Sequence, residues 1–188
     1  MKTILAFIIV IISISTTVLA QEVKNFTLTN IKDGKEVSLT NYNSAKAVAL
    51  VFTSHECPFD NYYKERLKGL IQTYSGKVQF LLVNSNTEEQ ESIAQMAIHY
   101  TDAPVPYLAD KDQAVMGNLG AKKTPEVFLL TPVEGKFVVA YSGAIDDNPQ
   151  TAKDVRQYFF KEAIEKALAN QKIDTPNQRA TGCTIRKK

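Results

Sequence analysis

Hydrophobic and polar residues alternate near the start of the chain and then group into longer apolar runs. Residues 26–29 and 36–39 alternate with a period of two, and Asp33 and Gly34 lie between them. This pattern predicts a β-hairpin, because an Asp-Gly pair supplies the positive φ that a tight turn requires. The continuous apolar runs 47–52 and 78–83 predict strands that are buried on both faces.

Further along the chain, apolar residues recur at the three- and four-residue spacing of amphipathic helices. Two more strands, joined as a hairpin through Pro132 and Gly135, are predicted between the third and fourth helices. Strands and helices that alternate in this way predict an α/β fold, with a mixed central sheet between helices. The predicted helices span about residues 59–74, 87–100, 110–119 and 151–169, and the two strands span 126–130 and 136–141. Thr87 with Gln90 has the pattern of a capping box, and Asp110 with Gln113 repeats this start signal.

The first twenty residues have the pattern of a secretory signal peptide. Lys2 precedes an apolar stretch, and Val18 and Ala20 are small residues at the −3 and −1 positions of a cleavage site. We expect cleavage between Ala20 and Gln21, which leaves no stable membrane anchor and makes the protein periplasmic or secreted. An uncleaved anchor is the alternative, because residues 4–20 are just long enough to span a thin bilayer.

Composition and charge argue against several classes of protein, including disordered chains and nucleic-acid-binding proteins. The chain has 44% hydrophobic residues, which is enough for a packed core, and its net charge of +2 creates no field that would attract nucleic acid. Two cysteines are too few for a disulfide-stapled miniprotein or an all-cysteine metal site. We expect no cofactor and no metal, with a folded domain over residues 21–170 and a flexible arm over 171–188 that carries Cys183.

Cys57 is the main candidate for chemistry. It follows the buried strand 47–52, and Pro58 suits the first turn of the next helix. The unpaired N–H groups and the positive dipole end of a helix N-terminus favour a thiolate over a thiol, which lowers the pKa of a cysteine placed there. The alternative is a buried, inert cysteine, but the polar neighbours Ser54 and Glu56 argue against an apolar environment.

Three motifs resemble those of the thioredoxin-like superfamily, in particular its peroxiredoxin-like group related to alkyl hydroperoxide reductase and thiol-specific antioxidant. They are residues 48–58 (VALVFTSHECP), 124–128 (TPEVF) and 182–186 (GCTIR). The resemblance implies a thioredoxin-like fold, and the predicted β-hairpin would be an N-terminal extension of it. It also implies a cis peptide bond before Pro125, which faces Cys57. Thr124 and Pro125 would then shape a groove for the cysteine-bearing segment of a partner.

Two departures from these families limit the possible chemistry. A thioredoxin CxxC motif would place its second cysteine at position 60, where this chain has Asp60. The peroxiredoxin signature would place Pro and Thr at positions 50 and 54, where this chain has Leu50 and Ser54. A two-residue-spaced dithiol therefore cannot form, and an efficient peroxide pocket is not expected.

The roles of Cys183 and the histidines stay open at this stage. A mixed disulfide on Cys57 needs a second thiol to release it, and Cys183 is the only other cysteine in the chain. Cys183 either resolves Cys57 catalytically, forms a permanent structural link with it, or pairs with another protein. His55 either tunes the pKa of Cys57, joins it in binding a soft metal, or is a solvated loop residue. His99 is expected to be structural.

These observations predict an exported thiol–disulfide oxidoreductase in which Cys57 is the nucleophile and Cys183 is the candidate resolving cysteine. Its partners would be protein or small-molecule thiols and disulfides, and no nucleic acid is expected among them. One alternative is a peroxiredoxin-like thiol peroxidase, which would consume peroxide through a sulfenic acid on Cys57. Another is a non-catalytic binding module, or a metal carrier that uses Cys57 and His55.

Overall fold

The computed structural model describes residues 21–99, 105–175 and 177–188. The predicted signal peptide, residues 1–20, lies outside these ranges, as does the predicted helix end at Tyr100. Among the described residues, no helix combines the length and the apolar character needed to cross a membrane.

The chain forms a seven-stranded mixed sheet with helices on both faces and a separate two-stranded sheet, which confirms the predicted α/β class. The order of the large sheet is β2-β1-β5-β4-β3-β7-β8, and β6 pairs with β9. Strand β4 is parallel to β3 and to β5, and the other pairs are antiparallel. The strands are β1 (Thr27–Asn30), β2 (Glu36–Ser38), β3 (Val48–Phe52), β4 (Gln79–Asn84), β5 (Tyr107–Ala109), β6 (Lys123–Thr124), β7 (Glu126–Val133), β8 (Lys136–Gly143) and β9 (Cys183–Thr184). The helices are α1 (Pro58–Thr73), α2 (Ile93–His99), α3 (Ala114–Leu119) and α4 (Phe159–Leu168).

Strand β3 lies in the middle of the sheet, and its side chains divide between two cores. All five of its residues are buried, as the unbroken apolar run predicted. Ala49 and Val51 pack in the core that includes α1 and α4, whereas Val48, Leu50 and Phe52 pack in the core that includes α3. This alternation fixes the register of β3, so the carboxyl end of the strand delivers the chain to Cys57 at a central position.

The predicted N-terminal hairpin is present and extends the sheet. Thr27 pairs with Ser38, and Gly34 adopts a φ of +71° in the connecting turn. The hairpin joins the sheet through β5, where Thr29 pairs with Ala109. Strand β5 was not predicted, because its three residues are too short to show a period.

Three predicted helix starts were wrong, including that of α3, which was predicted at Asp110 and begins at Ala114. Residues 151–158 are not part of α4. They contain a 3-10 turn at Ala152–Asp154, followed by a segment held in place by Asp147, which donates N–H to the Gln157 carbonyl and accepts from the Arg156 N–H. The Thr87 capping box is also absent. A 3-10 turn at Glu89–Glu91 comes first, and α2 begins at Ile93.

The C-terminal arm, which the sequence predicted to be flexible, pairs through its backbone with strands of the domain. Gln178 forms a parallel bridge with Gly143, and β9 pairs antiparallel with β6. Ala180 and Ile185 are both 4% exposed. The arm therefore contributes to the core and brings Cys183 back to the middle of the fold.

Candidate active site

Cys57 lies at the N-terminus of α1, five residues after the end of β3. It is the N-cap residue, with extended backbone angles, and Pro58 occupies the first helical turn. The side chain therefore lies beside the unpaired N–H groups of that turn and the positive end of the helix dipole. The residue is 2% exposed, so a partner reaches its sulfur only after the neighbouring chain moves.

Cys57 and Cys183 form a disulfide, with an S–S distance of 2.03 Å and a Cα–Cα distance of 5.9 Å. The Sγ of Cys57 also lies 3.3 Å from the carbonyl oxygen of Thr124, the residue that pairs with Cys183 in the β6–β9 sheet. The Thr124–Pro125 peptide bond is cis, as the resemblance implied. Cys183 therefore pairs within the chain and not with another protein in this structure. The disulfide is compatible with a catalytic role and with a permanent structural link.

Glu91 is a buried carboxylate that organises the turn before Cys57, and the sequence reasoning missed it. The residue is 3% exposed. Its Oε1 accepts from the Ser54 hydroxyl and from the Glu56 N–H at 3.2 Å, and its Oε2 accepts from Asn84 Nδ2 at 2.6 Å. The Ser54 hydroxyl oxygen in turn accepts from the Cys57 N–H at 3.1 Å. Glu91 thus connects β4 to the backbone that positions Cys57.

Lys111 provides a positive charge on the far side of Asn84. Its Nζ donates to Asn84 Oδ1 at 2.9 Å and to the Asn86 carbonyl at 2.8 Å. Burial lowers the pKa of Lys111 to about 8, and the Glu91 carboxylate opposes part of this change.

His55 is buried against the same network. Its side chain is 5% exposed, its Nδ1 lies 3.0 Å from Glu91 Oε2, and its Nε2 lies 2.6 Å from the Gln90 carbonyl oxygen. Its ring stacks on that of His99, with centroids 4.5 Å apart. These contacts hold the turn between β3 and α1, and the tuning of Cys57 by His55 stays a prediction.

Among the described residues, His55, Glu56 and His99 form a group that could hold a metal, since their ligand atoms all lie within 4.8 Å of one another. The two imidazole planes, however, are within 9° of parallel. The lone pairs of an imidazole lie in its ring plane, so two stacked rings cannot both point at one ion. In the arrangement shown, the cluster does not converge on a metal.

Asp60, in the first turn of α1, is a buried acid close to the disulfide. Its Oδ1 accepts from the Thr53 hydroxyl at 2.5 Å, and its Oδ2 is buried with no hydrogen-bond partner among the described residues. Burial raises the pKa of Asp60 to about 8, and the Glu91 charge adds to the increase. The Thr53 hydroxyl and the Ser54 backbone oppose it in part. Asp60 is therefore mostly neutral at pH 7 and places no negative charge beside Cys57.

A cavity of about 380 Å³ opens beside the disulfide. Cys57 and Cys183 line it together with Glu56, Glu88 and Arg186. A second cavity, of about 230 Å³, lies next to Pro125 and is bounded on one side by the arm residues Gln178, Arg179 and Thr181. Pro125 thus lines a cavity that the C-terminal arm bounds on one side, and a partner groove at Thr124 and Pro125 stays a prediction.

A mixed sheet, a disulfide at the start of the first long helix and a cis-proline strand beside it define a thioredoxin-like redox protein. The family model described as the AhpC/TSA family matches residues 19–148, and the chain belongs to this family.

The fold is similar to several solved structures. A hypothetical protein from Sinorhizobium meliloti is 25% identical, with 91% of this chain and 95% of that chain covered and a TM-score of 0.78. An uncharacterized conserved protein from Geobacillus kaustophilus is 27% identical, with coverage of 90% and 92% and a TM-score of 0.80. The exposed lipoprotein thioredoxin of Streptococcus pneumoniae shares the fold at 21% identity, with coverage of 78% and 99% and a TM-score of 0.55. Among curated proteins, no match was found.

Proposed function

We propose that this protein is an exported thiol–disulfide oxidoreductase that cycles between a Cys57–Cys183 disulfide and a dithiol. The observation that carries the proposal is the position of the disulfide. One sulfur belongs to the N-cap of α1, where thiolate is favoured, and the other belongs to a C-terminal strand that lies across the cis-proline segment.

The two cysteines differ in exposure, which suggests an order of events. Cys183 is partly exposed, whereas Cys57 is 2% exposed. A partner thiolate would attack Sγ of Cys183, forming a mixed disulfide and breaking the bond to Cys57, which leaves as thiolate. A second partner thiolate then attacks the partner's sulfur in the mixed disulfide, so that the partner disulfide departs and Cys183 leaves as thiolate and takes up a proton. Two partner thiols are oxidised and one protein disulfide is reduced.

A second route passes through a mixed disulfide on Cys57 and oxidises the protein. Cys57 thiolate attacks a partner disulfide and releases one partner thiolate. Cys183 thiolate then attacks Cys57 Sγ, and the second partner thiolate leaves. Cys57 is the attacking sulfur on this route because the helix N-terminus favours its thiolate. The direction follows from the relative reduction potentials of protein and partner.

The experiment follows both half-reactions. Wild-type protein is equilibrated with a series of glutathione buffers, and turnover is measured with a disulfide substrate and dithiothreitol. The proposal expects reversible exchange and turnover for the wild type, and neither for Cys57→Ser. When dithiothreitol is absent, Cys183→Ser should accumulate a mixed disulfide with the substrate, whereas the wild type should resolve it. A disulfide that resists all of these buffers and shows no turnover would identify a permanent structural link and refute the catalytic role.

Membership of the AhpC/TSA family supports thiol peroxidase activity as a second candidate. Cys57 thiolate would attack a peroxide oxygen, the O–O bond would break, and water or an alcohol would leave after protonation. Cys183 would then condense with the sulfenic acid and release water. The presence of Leu50 and Ser54 where peroxiredoxins have Pro and Thr argues for a slow reaction. A peroxide-consumption assay separates the two activities, since an oxidoreductase without peroxidase activity leaves the peroxide concentration unchanged.

A further inference from the structure

The C-terminal arm binds the domain as an extended strand directly before the cis peptide bond at Pro125. Thr124 pairs with Cys183 and Lys123 pairs with Thr184, and the Ile185 N–H donates to the Lys122 carbonyl at 3.0 Å. This β-pairing lies directly before Pro125. Main-chain hydrogen bonds of this kind bind an extended peptide, and side-chain pockets select its sequence.

The position before Cys183 excludes a side chain. A Cβ on Gly182 would lie 2.1 Å from the Thr124 carbonyl oxygen and 2.7 Å from its carbon. Both are backbone atoms of β6, so they cannot turn aside as a flexible side chain could. Only glycine permits this close approach of the two strands.

The two positions after Cys183 differ from each other. Thr184 is exposed, and its hydroxyl only accepts from Lys123 Nζ at 2.9 Å. Ile185 is 4% exposed and belongs to the same core cluster as Val115, Met116 and Leu119. Arg186, the next residue, has a side chain that is 81% exposed. The surface around β6 therefore favours a four-residue segment that consists of glycine, cysteine, a residue of any type and an aliphatic residue, in that order.

We propose that residues 182–185 occupy the groove in which a partner binds, and that their sequence matches the sequence the groove prefers. The preferred partner is then a protein or peptide whose reactive cysteine lies in an extended Gly-Cys-x-aliphatic segment. This inference rests on the proposed function of Cys57. The arm and the partner would then compete for the same position, which is the strand that pairs with residues 122–124. The partner segment pairs with residues 122–124 after the arm has left, and the returning arm displaces it when Cys183 resolves the mixed disulfide.

The test measures how fast Cys57 reacts with activated peptides. Full-length Cys183→Ser protein is mixed with peptides of sequence TGCTIR, TACTIR and TGCTSR, each activated at cysteine as a thiopyridyl disulfide. Cys57 thiolate attacks the peptide sulfur, a mixed disulfide forms, and released thiopyridone is read by absorbance. We expect the first peptide to react at least about tenfold faster than the other two, which corresponds to about 1.4 kcal/mol.

Variants of the arm test its occupancy of the groove. In the Cys183→Ser background, Ile185→Ser should speed the reaction with TGCTIR because the arm binds less tightly. Lys187→Ser, at an exposed position of the same arm, should leave the rate unchanged. Equal rates for all three peptides, or equal effects of the two substitutions, would overturn the proposal. A small aromatic disulfide is the reference substrate. If Cys57 reacts with this disulfide but with none of the peptides, the peptide specificity is refuted. If Cys57 reacts with neither, the function proposed for Cys57 is refuted.

Wild-type protein provides a measurement that does not depend on the removal of Cys183. Gly182→Ala should make the disulfide at least about tenfold easier to reduce in glutathione buffers, which corresponds to about 1.4 kcal/mol, since its Cβ would push the arm away from Thr124. Lys187→Ser is again the control. An unchanged midpoint for Gly182→Ala would contradict the steric selection of glycine.

Discussion

The buried Asp60 carboxyl should make the stability of this protein fall as the pH rises through the neutral range. Its pKa is raised from 3.8 to about 8, mainly by burial. Between these values the folded state holds a proton that the unfolded state has lost. The stability contribution of a group with a raised pKa is present below its unfolded pKa and is lost as the pH rises through the folded pKa.

The size of the effect follows from the proton balance. Between pH 5 and 7 the folded protein binds nearly one proton more at Asp60 than the unfolded chain, so the free energy of unfolding falls by about 1.3 kcal/mol per pH unit. The loss from pH 5 to pH 7 is about 2–3 kcal/mol. The lowered pKa of Lys111, about 8, acts only at higher pH.

Asp60→Asn removes the titrating group and keeps an oxygen that can accept from the Thr53 hydroxyl. The variant should lose this pH dependence, so its stability relative to the wild type should increase by about 2–3 kcal/mol from pH 5 to pH 7. Urea unfolding of the oxidised proteins, followed by circular dichroism because the chain has no tryptophan, gives both slopes. Asp112→Asn is the control, since that side chain is 98% exposed. Parallel curves for wild type and Asp60→Asn would refute the assignment of a buried, neutral carboxyl.

Three further predictions address the disulfide, the Glu91 network and export. Cys183→Ser should lower the free energy of unfolding by about 5 kcal/mol in the chain-entropy model, because the cross-link closes a loop with a separation of 126 residues; a loss below about 1 kcal/mol in urea unfolding would contradict this. Glu91→Ala should lower the free energy of unfolding by about 3 kcal/mol or more, because Asn84 and Ser54 lose a buried acceptor. It should also slow the reaction of Cys57, and Glu65→Ala, at an exposed position of α1, is the control. N-terminal sequencing of exported protein should begin at Gln21, and a start at Met1 would refute cleavage.

The secondary structure on both sides of Cys57 could be predicted from the sequence, because the signals for the strand and for the helix start each lie in a few neighbouring residues. The apolar run of β3 and the proline at the start of α1 together place Cys57 at a strand–helix junction. The cis peptide bond before Pro125 also followed from a short motif, by resemblance. In each case a few adjacent residues carry the signal.

The rest of the site depends on contacts between distant residues. Glu91 reads as one of several acids in a polar segment, and only its approach to Ser54, 37 positions away, gives it a role. The sequence left the partner of Cys183 open because its arm is polar and has no helical or strand period. Its pairing depends on Gly182, whose missing side chain allows contact with Thr124. A single glycine in a polar tail predicts a turn as readily as a close approach.

The distance between the two cysteines changes how the proposed reaction would be resolved. In a CxxC motif the second thiol stays one helical turn from the first, whereas this chain has Asp60 there and keeps its second sulfur on the arm. The arm and a partner cannot pair with Thr124 at the same time. The lifetime of the mixed disulfide is then set by how fast the arm displaces the partner strand, so it depends on the effective concentration of the arm and on the fit of the partner. A partner with a Gly-Cys-x-aliphatic segment would be held longest, and a partner that lacks it would be released as soon as residues 182–185 return.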